Sequence, residues 1–98
     1  MAKDKKKKKK KGVKERNYPK ALKRYEKALR NAEKLGNLSG KALVLNNIGE
    51  IYFAQGKFPE ALKRHEEALQ IDEQLGNLKG KATSLKSIGA VYHKQGKL

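Results

Sequence analysis

Tyr18-Pro19-Lys20-Ala21-Leu22-Lys23-Arg24 and, forty residues on, Phe58-Pro59-Glu60-Ala61-Leu62-Lys63-Arg64 open two copies of one segment. Set one above the other without a gap, residues 18–57 and 58–97 agree at 23 of 40 positions. The agreement runs through Leu35-Gly36-Asn37-Leu38 and Leu75-Gly76-Asn77-Leu78, then Gly40-Lys41-Ala42 and Gly80-Lys81-Ala82, and ends at Gln55-Gly56-Lys57 and Gln95-Gly96-Lys97. Such identity marks a tandem duplication, so the fold of one unit is repeated along the chain.

Each copy holds two helical patterns. After Tyr18 the apolar residues fall at Ala21, Leu22, Tyr25, Ala28, Leu29, Ala32 and Leu35, the three–four spacing of a single stripe. Pro19 sits where a first turn tolerates a missing N–H, and Gly36 follows where a left-handed residue is favoured. A second pattern passes through Ala42, Leu45, Ile48, Ile51 and Tyr52 and stops at Gly56. The sequence therefore predicts helices over about 18–35, 39–55, 58–75 and 79–95, an all-α fold of antiparallel neighbours joined by short turns. Gly49 lies inside a helical pattern, where it costs about 1 kcal/mol relative to Ala. Its recurrence as Gly89 implies the close approach of a following helix. Ala21, Ala28, Ala61 and Ala68 supply the small side chains opposite, with Tyr52, Tyr92 and Phe58 filling the space beside them.

Leu45, Ile48-Gly49 and Tyr52, then Gly56 and Phe58 at the turn, then Ala61, His65 and Ala68 follow the spacing of a tetratricopeptide repeat, which residues 18–98 resemble. Leu85, Ile88-Gly89 and Tyr92 repeat the first set, and Ala21, Tyr25 and Ala28 the last. The resemblance implies a short α-solenoid of four helices. Its period of forty is longer than the family's usual ~34 and is similar to the repeats of kinesin light chains and G-protein-signalling modulators. A HEAT or armadillo array has a period of about forty too, but the Gly49, Tyr52, Gly56 and Ala61 spacing argues against it. No partner helix precedes residue 18, and Leu98 falls where Phe58 stood one copy earlier. The array over 18–98 is thus expected to be truncated at its C-terminus and to self-associate through uncapped ends.

What the resemblance implies about function is a protein–protein interaction module that holds a peptide in a groove between the helices over 39–55 and 79–95. Position by position, the groove residues would be Asn46, Asn47, Glu50 and Phe53 on the first of these. On the second they would be Lys86, Ser87, His93 and Lys94, with Leu43, Thr83 and Ala90 beside them. Asn46 and Asn47 both donate and accept hydrogen bonds and suit a peptide backbone, whereas Lys86 and Lys94 favour an acidic peptide.

Charge supplies the second reading. The 98 residues carry 25 Lys and Arg against 10 Asp and Glu, a net +15, and +12 of it falls in residues 1–35. Residues 1–17 are too polar to offset the entropy of ordering and are expected to form a disordered Lys-rich tail. Such a tail attracts phosphates without reading sequence, so nucleic-acid or ribosome association through residues 1–35 is the alternative function. A third is a fragment of a longer scaffold with no autonomous role. The expected location is the cytoplasm, or the nucleus if the Lys run serves as an import signal.

Chemistry is sparse. The chain lacks Cys, which excludes disulfides, thiolate metal sites and cysteine nucleophiles. His65 and His93 stand 28 residues apart, with no third ligand at helical spacing, and Asp72-Glu73 are adjacent acids that diverge on a helix. Neither a catalytic residue nor a metal or other cofactor is expected, and no apolar run approaches the ~18 residues of a membrane span.

Overall fold

The structure, a computed structural model, describes the backbone of residues 2–96 and the side chains of residues 17–96. Four helices follow one another: α1 Ala2–Leu35, α2 Leu38–Ala54, α3 Phe58–Leu75 and α4 Leu78–Lys94. Each packs on its sequence neighbour, and α2 also touches α4. The last three helices lie within a residue of the bounds expected from the sequence.

Helix α1 differs at its start. Its backbone is helical upstream of Tyr18, so Pro19 stands inside the helix instead of in its first turn. Lysine is a good helix former, and nothing in the Lys-rich stretch dictates a stop; Pro19 itself withholds only one N–H. The disordered tail expected over residues 1–17 lies, Asn17 apart, outside the residues whose side chains are described.

The turns are built from one device used three times. Gly36, Gly56 and Gly76 adopt φ of 65°, 78° and 68°. At the first, Asn37 N–H bonds Ala32 O at 2.9 Å and Gly36 N–H bonds Glu33 O at 3.2 Å. These two bonds satisfy the last carbonyls of a helix and reverse the chain. Asn37 then starts the next helix, its side chain accepting from Gly40 N–H at 2.9 Å, and Asn77 does the same for Gly80 at 3.1 Å. One residue thus closes one helix and caps the next, which fixes the angle between them.

Ala42 and Leu45 of α2 pack with Ala68 and Ile71 of α3, and Leu29 of α1 leans against the cluster. Ala61 and Ala68 are fully buried, as their small size implies, but Ala21 and Ala28 are only half-buried. The reason is position: α3 is flanked by α2 and α4, whereas α1 packs on α2 alone among the described residues. Leu35, read as the last member of the α1 stripe, is 81% exposed, because it sits on the outside of the turn.

The other end shows the same asymmetry. Leu45 and Ile48 of α2 are buried beneath α3, while their copies on α4 are not: Leu85 is 49% exposed and Ile88 half-buried. Gly49 meets the ring of His65, whereas Gly89 faces open space. The packing role inferred for Gly89 from its recurrence therefore has no partner among the described residues.

Candidate functional site

Residues of α2 and α4 line two neighbouring cavities on one face of the molecule. The first, of about 400 Å³, lies over the N-terminal halves of the two helices and includes Leu43, Asn46 and Thr83 in its wall, with Asp72 and Gly80 where α3 meets α4. The second, of about 190 Å³, lies nearer their C-terminal ends and is lined by Glu50, Phe53, His65, Ser87 and Ala90.

A chain of buried polar groups stands between the two. His65 Nδ1–H, in the tautomer that carries its proton there, donates to Asn46 Oδ1 at 2.8 Å. The Asn46 amide donates in turn to Ser84 Oγ at 3.0 Å. Three helices are thereby tied at one point: α3 through His65, α2 through Asn46 and α4 through Ser84. His65 and Ser84 are almost fully buried, so each depends on Asn46 for satisfaction. The His65 ring also lies flat against Gly49; a Cβ there would stand 2.7–2.9 Å from three of its atoms. The expected close approach at Gly49 is thus specific: the missing side chain makes room for an imidazole.

The two buried titratable groups are shifted in ways that follow from their surroundings. Burial pushes the His65 pKa below its ordinary 6.5. Burial raises the Asp72 carboxyl above its ordinary 3.8, and the hydrogen bond from Asn77 opposes that rise. For His65 the folded chain takes a proton less readily than the unfolded one. The stability associated with neutral His65 is therefore complete above pH 6.5 and is lost as pH falls through the lower folded value. Thermal melts from pH 7.5 downward should show the midpoint falling below about pH 6.5, and His65→Phe should flatten that fall. Asp72 acts in the opposite sense: with its folded pKa raised, its contribution to stability is complete below 3.8 and is lost as pH rises through the higher folded value.

Of the residues expected to line a groove, the structure brings Asn46, Glu50, Phe53 and Ser87 to these cavities, together with Leu43, Thr83 and Ala90. Asn46 is less free than expected, because its amide is engaged by His65 and Ser84. Asn47 is half-buried and lines neither cavity, and Lys86, His93 and Lys94 are exposed outside them. Phe53 packs its ring on Phe58, with centroids 5.7 Å apart, and so links the second cavity to the start of α3.

A family model for the tetratricopeptide repeat matches residues 14–74 and again residues 40–98, two registers of the same repeat that together span the helical array. The chain belongs to the tetratricopeptide repeat family. Neither a curated protein nor a solved structure matches it. Tetratricopeptide repeats mediate protein–protein interaction, and stacked helical repeats do so by presenting a continuous face assembled from successive units. In this tetratricopeptide protein α2 and α4 touch and together line the two cavities. Among the described residues no helix is long and apolar enough to cross a membrane, and no group of three metal-ligating side chains is found.

Two members of the site escape a reading of each helix by itself: Ser84 and Asp72. Both become visible when the copies are compared, since Val44 stands at the position of Ser84 and Ala32 at that of Asp72. A polar residue that replaces an apolar one on an inward face is the signal.

Proposed function

We propose that this protein is an interaction module that seats a peptide segment of a partner protein along the α2/α4 face. One observation carries the reading: the two cavities are aligned along the same pair of helices and are lined by residues that differ between the copies. Leu43 stands where the second copy has Thr83, Asn46 where it has Lys86, and Glu50 where it has Ala90. The core positions Leu45, Ile48, Gly49 and Tyr52 are instead identical or matched in Leu85, Ile88, Gly89 and Tyr92. Duplicated copies that keep their packing residues and diverge on one face present a non-repeating surface, which is what recognition of a non-repeating peptide requires.

Exposed apolar area at Leu43, 65% exposed, and the ring of Phe53 offer contact surface, and Glu50 and Ser87 offer polar anchors. A randomised peptide library displayed against the full chain supplies the ligand. Ala90→Arg fills the second cavity from an exposed helical position without touching the core. It should weaken a selected peptide by about tenfold or more, in line with the loss of a well-packed contact. Unchanged affinity in Ala90→Arg, with helix content preserved, would place the peptide elsewhere.

A further inference from the structure

Asp72 is a buried acid that the repeat does not need. It is 3% exposed, yet the same position in the first copy is Ala32, which is also buried, and that unit folds around it. The acid is therefore a feature of one copy, not of the architecture. Its carboxylate lies against Gly80, whose missing side chain leaves room for it; a Cβ there would stand 2.6–2.7 Å from three of its atoms. Asn77 Nδ2 donates to Asp72 Oδ1 at a long 3.3 Å. Among the described residues Oδ2 has no hydrogen-bond donor, and no Lys, Arg or His nitrogen lies within 4 Å of the carboxylate. Glu73, its neighbour in sequence, is paired with Lys81 at 3.7 Å and turns the other way.

Asp72 is nearly buried, with one long hydrogen bond and no counter-charge within 4 Å, and a carboxylate so placed is costly to ionise. Here it borders the larger of the two cavities on the α2/α4 face. The walls of that cavity suit a long side chain with a charged tip. Leu43 provides an apolar surface for a methylene stem, and Thr83 adds a hydroxyl to the wall. Lys79 stands at the rim, exposed, and makes no ion pair among the described residues.

We infer that this cavity is the subsite for a basic side chain, Arg or Lys, of the bound peptide, with Asp72 as its counter-ion. The inference rests on the α2/α4 face being the peptide-binding face and assigns the chemistry of its N-terminal end. It reverses, at this end, the acidic preference that Lys86 and Lys94 suggest from sequence. Arg is the better fit, because a guanidinium can reach Oδ2 while keeping other N–H groups for the Thr83 hydroxyl oxygen. The charge-assisted bond would also hold the carboxyl ionised where burial alone disfavours it.

The test is a randomised ten-residue peptide library selected in parallel on the full chain, on Asp72→Ala and on Asp72→Asn. Ala at 72 restores the residue of the first copy, and Asn keeps the shape, so both variants should fold. Circular dichroism checks that they do. The expected result is strong enrichment of Arg or Lys at one peptide position with the native chain, absent from both variants, while preferences elsewhere in the peptide persist. Exchanging that residue for citrulline in the selected peptide should weaken binding by about 10–100-fold, the range for losing a hydrogen-bonded charge, and should change nothing in Asp72→Asn. Peptides selected without a basic position, or with one that survives in Asp72→Ala, would overturn the subsite and leave the binding face standing. Failure of the native chain to retain any peptide would overturn both.

Discussion

Gly49→Ala should lower the free energy of unfolding by about 1–3 kcal/mol, the range for overpacking a tight contact, while Gly89→Ala raises it by about 0.8–1 kcal/mol. The two residues occupy the same position in two copies of one repeat and differ only in what faces them. At Gly49 a methyl group would fall within 3 Å of the His65 ring. That ring cannot withdraw, because it is buried and held to Asn46. At Gly89 nothing lies within 4 Å, so alanine adds helix propensity without a clash. Urea denaturation of the two variants measures both effects. A shift in the same direction for both would mean that the ring over Gly49 does not constrain the packing as described.

The second large effect belongs to Asn46. Asn46→Leu leaves two buried groups, His65 Nδ1–H and Ser84 Oγ, without their shared partner. Each orphaned group costs about 1–3 kcal/mol, so a loss of about 2–6 kcal/mol is expected from the pair, less any relief from the added apolar surface. The asymmetry of hydrogen bonding gives a sharper test. Ser84→Val introduces the residue found at the equivalent position, Val44. In the native background it removes a satisfied hydroxyl and leaves the Asn46 amide unpaired; in Asn46→Leu it removes an orphan. The double variant should therefore be more stable than the sum of the single losses predicts, by about 0.5–3 kcal/mol, the usual coupling of contacting residues. Strict additivity would show that the three side chains do not act as one unit.

Much of this was legible in the sequence because duplication exposes it. The forty-residue identity located the helices to within a residue for α2, α3 and α4, and the turn glycines at 36, 56 and 76 take the left-handed conformation their positions required. Burial was less legible. Leu45 and Leu85 are the same residue in the same pattern, and only the helix laid across α2 distinguishes them. Leu35 continues a periodic stripe and yet faces solvent, because periodicity says which side of a helix a residue occupies but not where the neighbouring helix ends.

The candidate site was half legible. Glu50, Phe53 and Ser87, which the family resemblance put on one face, line a common cavity. Asn46 had the right face too, but its amide turns inward to His65, an outcome set by a residue 19 positions away. The buried acid at 72 was invisible within its own helix, where Asp72 and Glu73 read only as adjacent acids that diverge. The Ala32 of the first copy and the contact with Gly80 across the turn together reveal that one of the two is inside. Long-range partners decide such cases, and a single helix carries no record of them.

The central claim is that this tetratricopeptide array recognises its partner on α2 and α4 and uses α1 and α3 as backing. Amide hydrogen exchange of the full chain, with and without a selected peptide, tests it most directly. Slowed exchange is expected, confined to the helical segments around Leu43–Phe53 and Thr83–Ala90, with little change over Tyr18–Leu35. Protection concentrated on α1 instead, with α2 and α4 exchanging as in the free chain, would contradict it.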